Sequence, residues 1–146
     1  MFKITIDDDV LLFDLKGKEN RAKNTKPLMR SIAEDLDDST EENFRVEGRP
    51  RWDRLKLATK KRRAKKGKLG RILQVDRQLK DSISTEYTDT TAIIGTNKPY
   101  ARIHQKGGTI SHPRGYRIKM PARPYIKLTK TEEKEIEKRI DRYFER

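Results

Sequence analysis

Between Arg45 and Arg71 the chain carries thirteen lysine or arginine side chains against two carboxylates, a net charge of +11. Like charges at this density repel one another and resist compact structure. The flanks differ, residues 1–44 with a net charge of −4 and residues 72–146 with +6. The chain is sparing in apolar residues. Leucine, isoleucine, valine and phenylalanine together number 31 of 146 residues, and 40% of the chain is charged. That apolar share lies close to the floor of about 20% below which highly charged chains stay disordered. The expectation is one domain over residues 1–146 with a thin core and a basic mobile insert at about 45–71. A thin core also favours a homo-oligomer, because contacts between copies add buried apolar area.

A charge imbalance of this size suggests a polyanionic neighbour. Lys60, Lys61, Arg62, Arg63, Lys65, Lys66 and Lys68 are the candidate nucleic-acid contacts. No aromatic residue lies between Leu57 and Arg71, so base stacking is not offered and any binding is sequence-independent. The competing reading is a solvated loop, or a loop that meets an acidic patch of a partner protein.

Other classes are disfavoured. The chain has no cysteine, which excludes disulfides, thiolate metal sites and cysteine nucleophiles. No apolar run approaches the roughly 18 residues of a membrane-spanning helix, so no membrane partner is expected. The opening Met-Phe-Lys-Ile-Thr-Ile lacks the apolar core of a signal peptide. His104 and His112 are the only imidazoles, too few for a metal site without stronger ligands around them. No nucleophile elbow occurs, and no carboxylate is expected in an apolar setting that would make it a catalytic acid or base. We therefore expect no enzyme and no cofactor.

Periodicity outlines the elements. Phe2, Ile4 and Ile6 alternate with polar residues as a strand. Asp7–Asp9 suit the N-terminus of a helix over Val10–Leu15. Pro27 opens a helix carrying Leu28, Met29, Ile32, Ala33 and Leu36 on one stripe. Leu57–Arg71 reads as an extended excursion. Ser84–Thr88 and Thr91–Gly95 read as strands. Tyr100–Gln105 reads as a short helix with Tyr100 and Ile103 facing inward, stopped by Gly107 and Gly108. Thr109–Gly115 reads as a loop and Tyr116–Met120 as a third strand. Pro121 and Pro124 hold Arg123 on stiff extended backbone, which favours a structural or inter-subunit salt bridge. Thr129 and Glu132 form a capping box for a last helix bearing Ile136, Ile140 and Phe144. The fold class is α+β: two or three helices on one small antiparallel sheet, with a long basic loop excursion.

One combination is specific. Tyr100-Ala-Arg-Ile-His104-Gln105-Lys-Gly107-Gly108 is followed by Pro121-Ala-Arg123-Pro124, with Trp52-Asp-Arg-Leu upstream. In this order the chain resembles the phage virion morphogenesis family, the tail-completion proteins of Mu-like and related contractile-tailed phages and prophages. The resemblance is close over roughly 100 residues from Phe44 onward. It implies a structural role: completing the tail and joining it to the filled head, as a ring subunit beside tail tube, sheath or neck proteins. It implies assembly in the host bacterial cytoplasm and residence in the virion. Trp52, Tyr100, His104, Gln105, Gly107, Gly108, Pro121, Arg123 and Pro124 become candidate structural or interface residues. In such a ring the basic segment would face genomic DNA in the channel. Two other classes stay open at this point. A nucleic-acid-binding protein acting outside a virion would bind DNA salt-sensitively as a monomer, and a nuclease would need metal-dependent cleavage abolished by changing Asp7–Asp9.

Overall fold

The computed structural model describes residues 2–7, 10–15, 24–68 and 70–145. The fold is α+β. Its main sheet is antiparallel in the order β1-β2-β4-β3, from β1 (Phe2–Asp7), β2 (Val10–Leu15), β3 (Ser84–Tyr87) and β4 (Thr91–Gly95). Helix α1 (Lys26–Arg45) lies against β3 and β4, with α5 (Lys130–Glu145) beside it. Between them run α2 (Leu57–Lys65), α3 (Gln78–Asp81) and α4 (Ala101–Lys106). A separate hairpin pairs β5 (Gly108–Ser111) with β6 (Arg117–Met120).

Three expectations are corrected. Val10–Leu15 is a strand, not a helix, and Asp7 ends β1 rather than capping a helix; Asp8 and Asp9 lie outside the described residues. The run is ambiguous because β2 is an interior strand. Leu11, Phe13 and Leu15 are buried on one face while Val10 and Leu12 are half-covered on the other, so the apolar pattern is nearly continuous. Thr109–Ser111 is strand, and β6 pairs with it instead of joining the main sheet. Leu57–Lys65 is helix, not extended chain. Lysine, arginine, leucine and alanine are all good helix formers, and like charges splayed into water cost only a few tenths of a kcal/mol per pair. Helix α1 runs through Asp37–Thr40 to Arg45, burying Ser39, Thr40, Asn43 and Phe44 on the stripe begun by Leu28.

The core joins α1, β2, β4 and α5 through Met29, Ile32, Leu36, Phe13, Ile94, Ile136 and Ile140, all at most 2% exposed. The Thr129–Glu132 capping box is present in both directions, at 2.9 and 3.2 Å. Glu132 does more than cap. It also accepts from the Ser39 hydroxyl at 2.7 Å and pairs with Arg49, whose Nε donates to Asn43 at 2.7 Å and whose Nη2 donates to the Ser39 carbonyl at 2.9 Å. The Asn43 amide in turn donates to the Tyr125 carbonyl at 2.8 Å. Burial alone would raise the Glu132 carboxyl, but the bonds from Thr129, Arg49 and Ser39 outweigh it and hold the group below 4.5.

Arg49→Ala should therefore cost roughly 2 kcal/mol at neutral pH, the value of a half-buried, multiply bonded ion pair between the exposed and fully buried limits. A carboxyl depressed in the folded state stabilises above its ordinary value, and that contribution is lost as pH falls through the depressed value. The gap between wild type and variant should accordingly shrink in acid. Urea midpoints on both sides of pH 4.5 check this, and a gap that widens in acid would refute it.

Candidate functional site

The basic segment separates into two parts. Arg45, Arg49 and Arg54 are bound within the chain, to Glu42, Glu132 and Glu47. Arg71 donates to the Arg45 carbonyl at 3.2 Å. Lys60, Lys61, Arg62, Arg63, Lys65, Lys66 and Lys68 make no ion pair among the described residues. Five of the seven stand on α2 itself, with Lys66 and Lys68 just beyond its end, and no residue of that helix is buried as a whole. Leu57, at its start, is 67% exposed. The inward side is narrow: Thr59 and Arg63 are half-buried, and Leu55 sits one turn before them.

Behind that inward side lies a cavity of about 500 Å³. Arg54, Lys56, Arg62, Arg63, His104 and Arg123 supply its polar wall, with Asp53 the carboxylate among them. Leu55, Ile72, Leu73, Ile118, Met120 and Pro121 supply the apolar wall. Arg63 Nη1 is buried with no hydrogen-bond partner. Arg123 is 6% exposed, and its Nε donates to the Asp53 backbone carbonyl at 3.0 Å. Burial pushes the Arg123 guanidinium below its ordinary value; Asp53 opposes the shift, and Arg63 and Arg54 add to it. Burial, and after it the charge of Arg123, pushes His104 below 6.5, so the imidazole favours its neutral form. The cavity thus gathers guanidinium charge that its own carboxylate does not balance.

The remaining motif residues build the platform under this cavity. Gln105 is buried and turns its amide to backbone: Oε1 accepts from the N–H groups of Tyr125 and Ile126 at 3.1 Å each, and Nε2 donates to the Ile126 carbonyl at 2.8 Å. Trp52 is buried edge-on against Phe44, and its indole N–H donates to the Pro124 carbonyl at 3.0 Å. The base of the β5–β6 hairpin closes where the Arg123 N–H donates to the His104 carbonyl at 2.8 Å. Gly107 crosses this point with φ of 74°, and a Cβ there would lie 2.7 Å from the Ala122 nitrogen. Gly108 leads into β5. Tyr100 is corrected: it is 38% exposed and touches His104 edge-on, while Ala101 and Gln105 form the buried face of α4. A six-residue helix shows too little periodicity to choose its inner face.

Sequence reasoning therefore placed His104, Pro121 and Arg123 with the motif, and Arg62 and Arg63 with the charge, without uniting them. It missed Leu55, Ile72, Leu73, Ile118 and Met120 as their shared wall. No local signal could have joined α2 to β6, which are more than fifty residues apart. Among the described residues no cluster of His, Cys, Asp and Glu could hold a metal ion, and no helix is long and apolar enough to cross a membrane.

Comparison with known proteins places this geometry in context. The phage virion morphogenesis family matches residues 11–145. The Mu-like prophage FluMu G protein 2 of Haemophilus influenzae is 41% identical over 119 residues, covering 82% of this chain and 78% of that one. FluMu G protein 1 of the same organism is 34% identical over 122 residues, covering 80% and 77%. Protein G of Escherichia phage Mu, named for capsid assembly, is 47% identical over 70 residues, covering 46% and 42%. No solved structure matches the chain.

Proposed function

The chain belongs to the phage virion morphogenesis family, and on that premise we propose that it completes the phage tail and joins it to the filled head as one subunit of a homo-oligomeric ring. Its general role is structural, in virion assembly. Tail tube, sheath or neck proteins are its neighbours in this reading, assembly takes place in the host cytoplasm, and genomic DNA passes the lysine side of α2. The observation that carries the reading is α2 itself. It displays cations that form no ion pair among the described residues, and it buries no whole residue in its own core. A helix that adds so little to its own fold is explained by a partner. Exposed Ile6, Leu57, Ile110 and Tyr116 supply further apolar surface for contacts between subunits.

Particle imaging of a phage lacking the gene tests the joining role. The expected result is filled heads beside unattached tails. Normal virions, or a block before any head forms, would remove this role.

A further inference from the structure

The cavity behind α2 has features that a DNA backbone would leave unused. β6 pairs with β5 alone among the described residues, so one of its edges is open. Ile118, Lys119 and Met120 all line the cavity. Consecutive strand residues point to opposite faces, so a cavity touched by all three runs along the strand's edge and not over one face. An open edge offers unpaired N–H and C=O groups to an added strand. Leu55, Ile72 and Ile118 give alternate apolar side chains of such a strand a wall to pack on. The buried, unpartnered Nη1 of Arg63, with Arg62 and Arg123 beside it, provides donors for a carboxylate.

We propose that this groove takes an extended acidic peptide segment of a partner virion protein, which pairs along the open edge of β6 and sets a carboxylate against Arg63. The helix then serves two partners by chemistry. Its outward lysines are point charges suited to phosphates, and its inward arginines are forks suited to carboxylates. The inference rests on the assembly reading for the kind of partner. Its test is separate: peptide binding probes the groove, whereas particle imaging probes the joining role.

The test titrates the full isotope-labelled chain with an acetylated, amidated five-residue peptide alternating valine and glutamate, and with the same peptide carrying lysine for glutamate. The glutamate peptide should perturb the amides of Arg117–Met120 and slow hydrogen exchange at every other one of them. Arg63→Gln should weaken binding about tenfold, the effect of losing one charge-assisted hydrogen bond. Lys134→Gln, the same charge change on the exposed face of α5, should leave binding unchanged. The exchange measurement needs no variant, so it decides the matter even if Arg63→Gln misfolds. No perturbation at millimolar peptide overturns the proposal, as does equal binding of the lysine peptide. Duplex DNA acting on the same amides, or concentration-dependent shifts there without peptide, which would mark a second copy as the occupant, also overturn it.

Discussion

Gln105→Leu should lower the unfolding free energy by roughly 3–9 kcal/mol, because three buried backbone groups lose their partner at about 1–3 kcal/mol each. The two N–H groups of Tyr125 and Ile126 and the Ile126 carbonyl all bond to this one side chain. Leucine fills similar space and offers them nothing. Against a total stability of about 5–15 kcal/mol, a loss of this size leaves the protein partly unfolded under mild conditions. Urea denaturation of the two proteins measures it. Tyr100→Ala serves as the contrast, since that side chain is 38% exposed at the N-cap of the same helix and should cost under about 1 kcal/mol. Equal losses from both changes would show that Gln105 does not hold the Tyr125–Ile126 backbone as described.

The second large effect concerns DNA. If the five lysines in and just after α2 engage phosphates, the log–log dependence of binding on salt should have a slope of about −4.5. Changing Lys60, Lys61, Lys65 and Lys68 to glutamine leaves one of those five, and the slope should fall to about −1. Affinity at low salt should drop with it. Stability should change by no more than about 0.5 kcal/mol, because these side chains are exposed and no residue of α2 is wholly buried. Fluorescence titration of a mixed-sequence duplex across a salt series provides the reading. An unchanged slope, or the absence of DNA binding by the wild-type protein, would assign the lysines to solvation or to a protein partner.

Legibility in the sequence followed the range of the forces involved. The stripe from Leu28 to Leu36, the capping box of Thr129 and Glu132, and the two strands around Asp89-Thr90 were readable because each is set by residues within a turn or a hairpin. Val10–Leu15 was not. Its apolar run satisfies a helix and a buried strand equally, and the choice falls to β4, which pairs with it from residues 91–95. The same holds for Arg49. Its role in binding Ser39, Asn43 and Glu132 cannot be separated from the surrounding charge until α1 and α5 are brought together.

The basic segment shows the division most clearly. The sequence alone determined its net charge of +11, its lack of aromatic residues and, through the motifs at Tyr100–Gly108 and Pro121–Pro124, the family to which the chain belongs. Those are properties of composition and order. Only the tertiary structure divided the thirteen cations into arginines that hold the fold, lysines that face water and arginines that line a groove against β6. The physical reason is that a charge has no role until its partner is placed. Coulombic and hydrogen-bond energies depend on separation and burial, and for Arg49, Arg63 and Arg123 both are set in part by residues about forty to eighty positions away.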